Sequence, residues 1–367
     1  MGVVARPALA GLPAWRPILI GALVIIAVVA GALIYAGSRP PPLPPPFGPA
    51  GNGNVYFANA DGDIVAMDPT TLTQTPVVTG GHHDAWPLPS KDGRFIQFQR
   101  NGTVMVANSD GSNVHQLKGE YLQITEEDWS PDSTAISIVS TIKGRSAITI
   151  LQADGSGART LEPKGLQVHY ASFLPDGRIL FLGIGKVAFS DTFAIYVMNA
   201  DGTEVRPLVP PSRLDTDYIA PWPSPDGKSV LYHVWRDPDE LGRLYITDIA
   251  TGSTHPIDIS AGTGENLEAA QYSPDGTLAL FSRFNACCRT LSVAPVTGGP
   301  PRDIGERVPG NSGQVASALF SPDGKFVIAW YPDSGKLWLL DPSGARPDRQ
   351  IPVSVPDVPA WQRVAAP

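Results

Sequence analysis

The sequence predicts an all-β repeat domain, and three observations carry that prediction. An aromatic residue followed by a Pro-Asp-Gly type of turn recurs at nearly even spacing through most of the 367 residues. Gly (37) and Pro (38) interrupt the chain too often for long helices to be its main element. Apolar residues make up 43% against 17% charged, which excludes a wholly disordered chain. The net charge is −8 and the first acidic residue is Asp61, so the folded part is acidic and nucleic acid is not expected as a partner. Cys287 and Cys288 are the only cysteines, which leaves neither a multi-cysteine zinc site nor a disulfide framework.

Taken in order, the chain opens with a short tail, 1–16, expected on the cytoplasmic side. From Pro17 to Ser38 no ionisable group occurs apart from Tyr35. About twenty such residues rise roughly 30 Å as a helix, the thickness of a bilayer core. The run is longer than the apolar core of a cleaved signal peptide, so a retained transmembrane helix over 17–38 is favoured over cleavage near Ala36-Gly37-Ser38. Arg6 and Arg16 precede it without acidic neighbours, which places the N-terminus inside and the rest of the chain outside the cytoplasm, at the cell membrane as a single-pass protein. Residues 39–53 follow, with seven prolines among fifteen residues, and read as a stiff polyproline spacer.

The repeat begins at residue 54. Its turns stand after Trp86, Trp129, Phe173, Trp222, Tyr272 and Phe320, and the chain closes on PAWQR at Trp361; the spacings are 43, 44, 49, 50, 48 and 41 residues. That is the period of a four-stranded propeller blade. After each turn comes an apolar or alternating run, a second run ending in a Gly-containing turn, and a short third run, giving strands A to D. The first unit, 54–78, lacks an A strand, whereas 357–361 offers an A strand with nothing after it. Joined, they complete a seventh blade. The expectation is therefore a seven-bladed β-propeller over 54–367, with six blades and a separate preamble as the alternative.

The W/F/Y-SPDG turns, with the MNADG and LQADG turns, resemble the WD-repeat-like propeller units of the TolB family, over residues 54 to 361. TolB itself pairs such a propeller with an N-terminal α/β domain and works in the periplasm with the Tol-Pal envelope system. Here an apolar segment and a proline spacer stand in place of that domain. Similar units form the N-terminal propeller of prolyl-oligopeptidase-type peptidases, and oligogalacturonate lyases use a seven-bladed version that carries a metal.

Catalytic motifs are scarce. No G-x-S-x-G elbow occurs, and Gly227-Lys228-Ser229 belongs to a repeat turn without the upstream glycine of a phosphate-binding loop. The recurring aspartates Asp132, Asp176, Asp226, Asp275 and Asp323 read as turn residues. Adjacent Cys287 and Cys288 are compatible with a vicinal disulfide or with buried thiols.

The tight turns are uniform between blades, whereas the D-to-A and B-to-C loops on the opposite face vary, so that face is the candidate binding surface. Its carboxylates are Asp84, Glu126, Glu127, Asp128, Asp215, Asp217, Glu265 and Glu268, and its histidines His82, His83 and His169. The carboxylates suit calcium, another divalent cation or a basic partner. The expected function is a membrane-anchored extracytoplasmic scaffold or sensor that binds a protein, a peptide or an envelope component, not an enzyme, with no required cofactor. The alternative is a metal-dependent, lyase-like enzyme with His82, His83 and His169 as ligands.

Overall fold

The computed structural model describes residues 21–22, 24–28, 42–119, 122–142, 144–187, 190–213, 217–235, 242–259, 265–309 and 317–366. Two units separate, Met1–Pro42 and Leu43–Pro367. In the first, residues 21–22 and 24–28 are helical. Among the described residues no helix is long and apolar enough to cross a membrane. The rest of the span expected over 17–38, and the tail 1–16, lie outside the described residues.

The second unit is all β. Blade 1 holds β1 (Gly51–Ala58), β2 (Ile64–Met67) and β3 (Gln74–Val78); blade 2 holds β4 (Asp84–Pro89), β5 (Phe95–Arg100), β6 (Thr103–Asn108) and β7 (His115–Gln116). Blade 3 is β8 (Leu122–Trp129), β9 (Ala135–Ile142), β10 (Arg145–Gln152) and β11 (Ala158–Leu161). Blade 4 is β12 (Gln167–Phe173), β13 (Ile179–Val187), β14 (Ser190–Met198) and β15 (Arg206–Arg213). Blade 5 is β16 (Asp217–Pro223), β17 (Ser229–Trp235), β18 (Arg243–Asp248) and β19 (Thr254–Pro256). Blade 6 is β20 (Asn266–Tyr272), β21 (Leu278–Phe284), β22 (Cys288–Pro295) and β23 (Arg302–Pro309). Blade 7 is β24 (Ser317–Phe320), β25 (Val327–Tyr331), β26 (Lys336–Leu340) and β27 (Arg349–Ser354), and the chain returns to blade 1 as β28 (Ala360–Val364). The described strands thus form seven four-stranded antiparallel sheets, the first in the order β28-β1-β2-β3.

The turns that announced the repeat are built alike. In five of them a serine hydroxyl (Ser90, Ser130, Ser224, Ser273, Ser321) donates to the aspartate two residues on, at 2.6–2.7 Å, and accepts the N–H of the residue five on. The residue just before this position plugs the gap between blades, whether a serine follows it, as after Trp129, Tyr272 and Phe320, or Leu174 and Gln362 do, as after Phe173 and Trp361. Trp129, Phe173, Tyr272, Phe320 and Trp361 all do so, at 6% exposure or less. Blades 2 and 5 differ from the sequence reading. There Pro89 and Pro223 hold the plugging position, while Trp86 lies three residues and Trp222 one residue further from the turn. The apolar core accordingly divides into seven clusters, one in each gap between neighbouring blades.

Ring closure rests on β28. It pairs with β1 at Val55↔Trp361 and Tyr56↔Ala360. The Trp361 indole donates to the Gly53 carbonyl at 3.2 Å. Gln362 accepts from Asn54 N–H at 3.1 Å and donates to the Gly93 carbonyl of blade 2 at 2.7 Å. One side chain therefore ties the last strand to two blades.

The proline-rich segment does not stand free of the domain where it is described. Pro44 is buried, Phe47 lies under the Lys91 ammonium at 5.2 Å, and the Ala50 N–H donates to the Pro322 carbonyl at 2.9 Å. Arg363 donates to the carbonyls of Pro45 and Gly48. The segment lies against the A–B turns of blades 7 and 2 and the end of β28, because prolines leave carbonyl acceptors without competing donors and these places present cations and N–H groups.

Gly93 tests the closure. Its φ is +72°, and a Cβ there would run into the Arg363 carbonyl of β28, whereas Gly177 at +85° faces open space. Gly177→Ala is expected to destabilise by about 1–2 kcal/mol, the left-handed penalty alone, and Gly93→Ala by more than about 3 kcal/mol. Melting of the two variants checks this, and equal losses would show that β28 is not held against Gly93.

Candidate functional site

The first strand of each blade lies innermost. Its outer edge pairs with the second strand, while its free edge meets the neighbouring blade: the Phe173 N–H of β12 donates to Asp128 Oδ2 of β8 at 2.9 Å. These strands line the channel of a propeller. Most of the sequence-selected carboxylates lie on them and not in loops. Glu126, Glu127 and Asp128 are the end of β8, Asp84 starts β4, and Asp217 and Glu268 fall within β16 and β20. Asp215 and the side chains of Asp217 and Glu268 lie outside the described residues.

An inner strand's free edge carries N–H and C=O groups with no ladder partner, and such groups need satisfying. Three polar side chains do this from the preceding blade. Asp128 takes the Phe173 N–H, Asp357 takes the Trp86 N–H at 2.7 Å and, within its own blade, the Ala58 N–H at 3.3 Å, and Gln271 donates to the Ala318 carbonyl. Part of the acidity around the channel is therefore structural. Burial raises the Asp357 carboxyl above its ordinary value, and its backbone bonds oppose that.

Other carboxylates are answered by cations. Asp84, 3% exposed, holds Arg100 through two bonds of 2.7 Å, across the direct strand pair Asp84↔Arg100. Asp128 also pairs with Lys91 at 2.6 Å, and Glu265 with Arg283 at 3.1 Å.

Glu126 and Glu127 have no lysine or arginine partner among the described residues. Burial, and then the neighbouring Glu127 charge, pushes Glu126 up to about 7. Burial pushes Glu127 up to about 7 as well, against the lowering effect of the Gln99 and Gln97 amides. Gln99 Nε2 donates to Glu127 Oε1 at 2.9 Å. Gln97 is wholly buried and faces the same carboxylate, yet completes no well-formed hydrogen bond with either amide atom.

Two functional candidates escape a reading by repeat position. Trp86 and Trp222 are 51% and 45% exposed, the two exposed aromatic side chains among the described residues. Both belong to inner strands whose pairing slips by a bulge, between Ala85 and Leu88 and between Ile219 and Trp222. Trp86 takes a left-handed φ of +51°, and Tyr170 on β12 takes +47° at the matching place. Bulges re-aim side chains in this way. The proline in the plugging position of each blade was the available signal.

Comparison with known proteins agrees with this architecture. The family described as TolB beta propeller domain matches residues 94–362. The chain belongs to the TolB β-propeller family. Among solved structures, TolB from Acinetobacter baumannii is 20% identical with a TM-score of 0.53, covering 84% of this chain and 82% of that one. An oligogalacturonate lyase from Vibrio parahaemolyticus is 12% identical with a TM-score of 0.58, covering 78% and 91%. A puromycin hydrolase reaches a TM-score of 0.61 at 15% identity, covering 86% of this chain but 54% of that one. At these identities the likeness is of fold. No curated protein matches significantly.

Within this TolB-like propeller the three selected histidines are not assembled. His82 and His83 lie exposed between β3 and β4, and His169 lies on β12 of blade 4. Among the described residues no group of three or more His, Cys, Asp or Glu side chains is placed to hold a metal ion. Cys287 and Cys288 form a vicinal disulfide at the start of β22, with Asn285 Oδ1 accepting both of their N–H groups. A cavity of about 480 Å³ lies away from the channel, at the closing seam between blades 7 and 1, among Phe326, Arg346, Arg349 and Trp361.

The glutamates set a pH dependence. Unfolded, each titrates near 4.5; folded, each holds its proton to about 7. Stability from this pair is therefore highest below about pH 4.5, falls as the pH rises to about 7, and stays low above it. Glu126→Gln and Glu127→Gln should each gain on the order of 1 kcal/mol near pH 8, after allowance for solvent screening, and nothing near pH 4. Thermal melting of both variants at the two pH values checks the sign.

Proposed function

We propose that the chain is a membrane-tethered binding module, displayed outside the cytoplasm, whose channel mouth receives a protein or peptide. Exposure of Trp86 and Trp222 on inner strands carries this reading. Inner strands are flanked by blades on both sides, so an exposed indole there has only the channel and its mouths to face. Tryptophan is among the residues enriched at the energetic hot spots of protein interfaces. A receptor needs no further chemistry, and the unpartnered glutamates add a preference for a basic segment. The apolar run 17–38 supports the tether, and the arginines before it support the orientation. A lyase-like activity is disfavoured because the histidines that would hold its metal lie apart.

Photo-crosslinking tests the reading. A benzophenone amino acid in place of Trp86 or Trp222, in the full-length protein in cells, is expected to trap a discrete partner band in the membrane fraction. The same probe at exposed Val205, between outer strands, should trap none. Equal labelling at all three positions, or none at the tryptophans, would sink the receptor reading.

A further inference from the structure

We propose that the gap between blades 2 and 3 is a receptor site for an alkylammonium group, such as a lysine side chain of the bound segment, with Glu127 as its counter-charge. The proposal rests on the channel being a receptor and specifies what that receptor reads.

The geometry begins with blade 2. On β5, Gln97 and Gln99 occupy ladder positions that blade 4 fills with Leu180 and Leu182, and blades 5 and 6 with Leu231 and Leu280 at the first of the two. Two amides thus replace leucines in an inter-blade core, where an unsatisfied polar group is costly. Gln99 is satisfied by Glu127 at 2.9 Å. Gln97, at 0% exposure, turns its amide toward the same carboxylate without completing a well-formed hydrogen bond, and its carbonyl oxygen has no donor. With the Gln97 amino group turned to the carboxylate, the groups left over are oxygens, the Gln97 carbonyl and the Glu127 carboxylate, so the missing partner must donate hydrogen bonds. Trp86, 51% exposed, follows directly after Ala85, the cross-strand partner of Gln99.

The chemistry of the partner follows from what surrounds it. A divalent metal would want three or more ligating side chains, and the described residues offer no such group. An ammonium needs two or three acceptors and gains from an aromatic face at the entrance. The nearby cations are already engaged, Lys91 by Asp128 and Arg100 by Asp84, so neither neutralises Glu127. The other titratable groups linked to it are Glu126 on its own strand and, through Glu126, Tyr170 on β12. Glu126 adds a second negative charge, and the Tyr170 hydroxyl is pushed up by burial and by that charge.

Binding of an ammonium requires Glu127 ionised, so affinity should rise with pH. With Glu127 at about 7, affinity should fall about tenfold from about pH 8 to about pH 6.

The probe is the tripeptide acetyl-Gly-Lys-Gly-amide, titrated by calorimetry into the full-length protein in detergent. Its norleucine analogue, which lacks the ammonium, is the control. Expected are binding of the lysine peptide near pH 8, the tenfold loss near pH 6, no binding of the analogue, and loss of binding in Glu127→Gln. That variant keeps the side-chain shape and removes a buried charge, so it should fold at least as well, and its melting curve confirms this. Retained binding in Glu127→Gln, equal binding of the norleucine peptide, or displacement of the lysine peptide by calcium chloride would each overturn the assignment. If crosslinks at Trp86 persist while the lysine peptide fails, the receptor reading stands and the ammonium site falls. Lysine-peptide binding without crosslinks would mean the reverse.

Discussion

Ring closure is the constraint on which the rest of the structure depends. Each blade touches only its neighbours, so no central core holds the disc together, and the circle exists only because β28 finds β1. The pairing joins residues more than three hundred positions apart, and its loop entropy is recovered only when all seven gaps are packed. Gln362 and Asp357 extend the seam into blade 2, through the Gly93 carbonyl and the Trp86 N–H. The same closure crowds seven free strand edges around one axis. No further strand can pair with those edges, so side chains must satisfy them. That is why Asp128, Asp357 and Gln271 are polar at places facing the next blade.

The fold was legible because its signals are local. A serine two residues before an aspartate, followed by a glycine, builds one turn whatever lies around it, and six approximate copies in register imply the ring. Even the split first blade followed, since a strand missing at one end matched a strand spare at the other. What local pattern could not show was the slip of register inside the inner strands. Trp86 and Trp222 looked like the plugging aromatic of their blades. The chain instead places Pro89 and Pro223 there, where a missing N–H is harmless on a free edge. A bulge then turns Trp86 outward, while Trp222, in register with Leu231, stands by strand alternation on the face opposite Pro223. Aligning on the serine of the turn, and not on the nearest aromatic, separates plug from exposed indole.

The candidate site was legible in its residues and not in its charges. The carboxylates were assigned to loops because inner strands are short and run directly out of those loops. Whether each charge stands alone is decided by partners distant in sequence or across a ladder. Asp84 is neutralised by the residue opposite it in the hairpin, and Asp128 by a lysine in the turn of the preceding blade. Only after those pairings are subtracted do Glu126 and Glu127 emerge as the pair without a cation among the described residues. Gln97 and Gln99 belong to the same argument, since a glutamine in a strand is unremarkable until its ladder position is compared with Leu180, Leu231 and Leu280. The histidines show the converse: residues of the right type, grouped by loop face in sequence, lie on different blades in space.

Lys91 joins the two ends of this account. Its ammonium lies over Phe47 of the proline-rich segment and pairs with Asp128, whose other oxygen caps the edge of blade 4. The segment before β1 is thus not only a spacer; it reaches, through one lysine, the carboxylates around the channel. It lies against the A–B turns of blades 7 and 2 and against the end of β28. The chain's own prolines thus meet some of the uniform turns, while the variable loops stand on the opposite face. Sequence uniformity on the turn face follows from the turn chemistry that the blades repeat, while the loops of the other face carry no such requirement and vary.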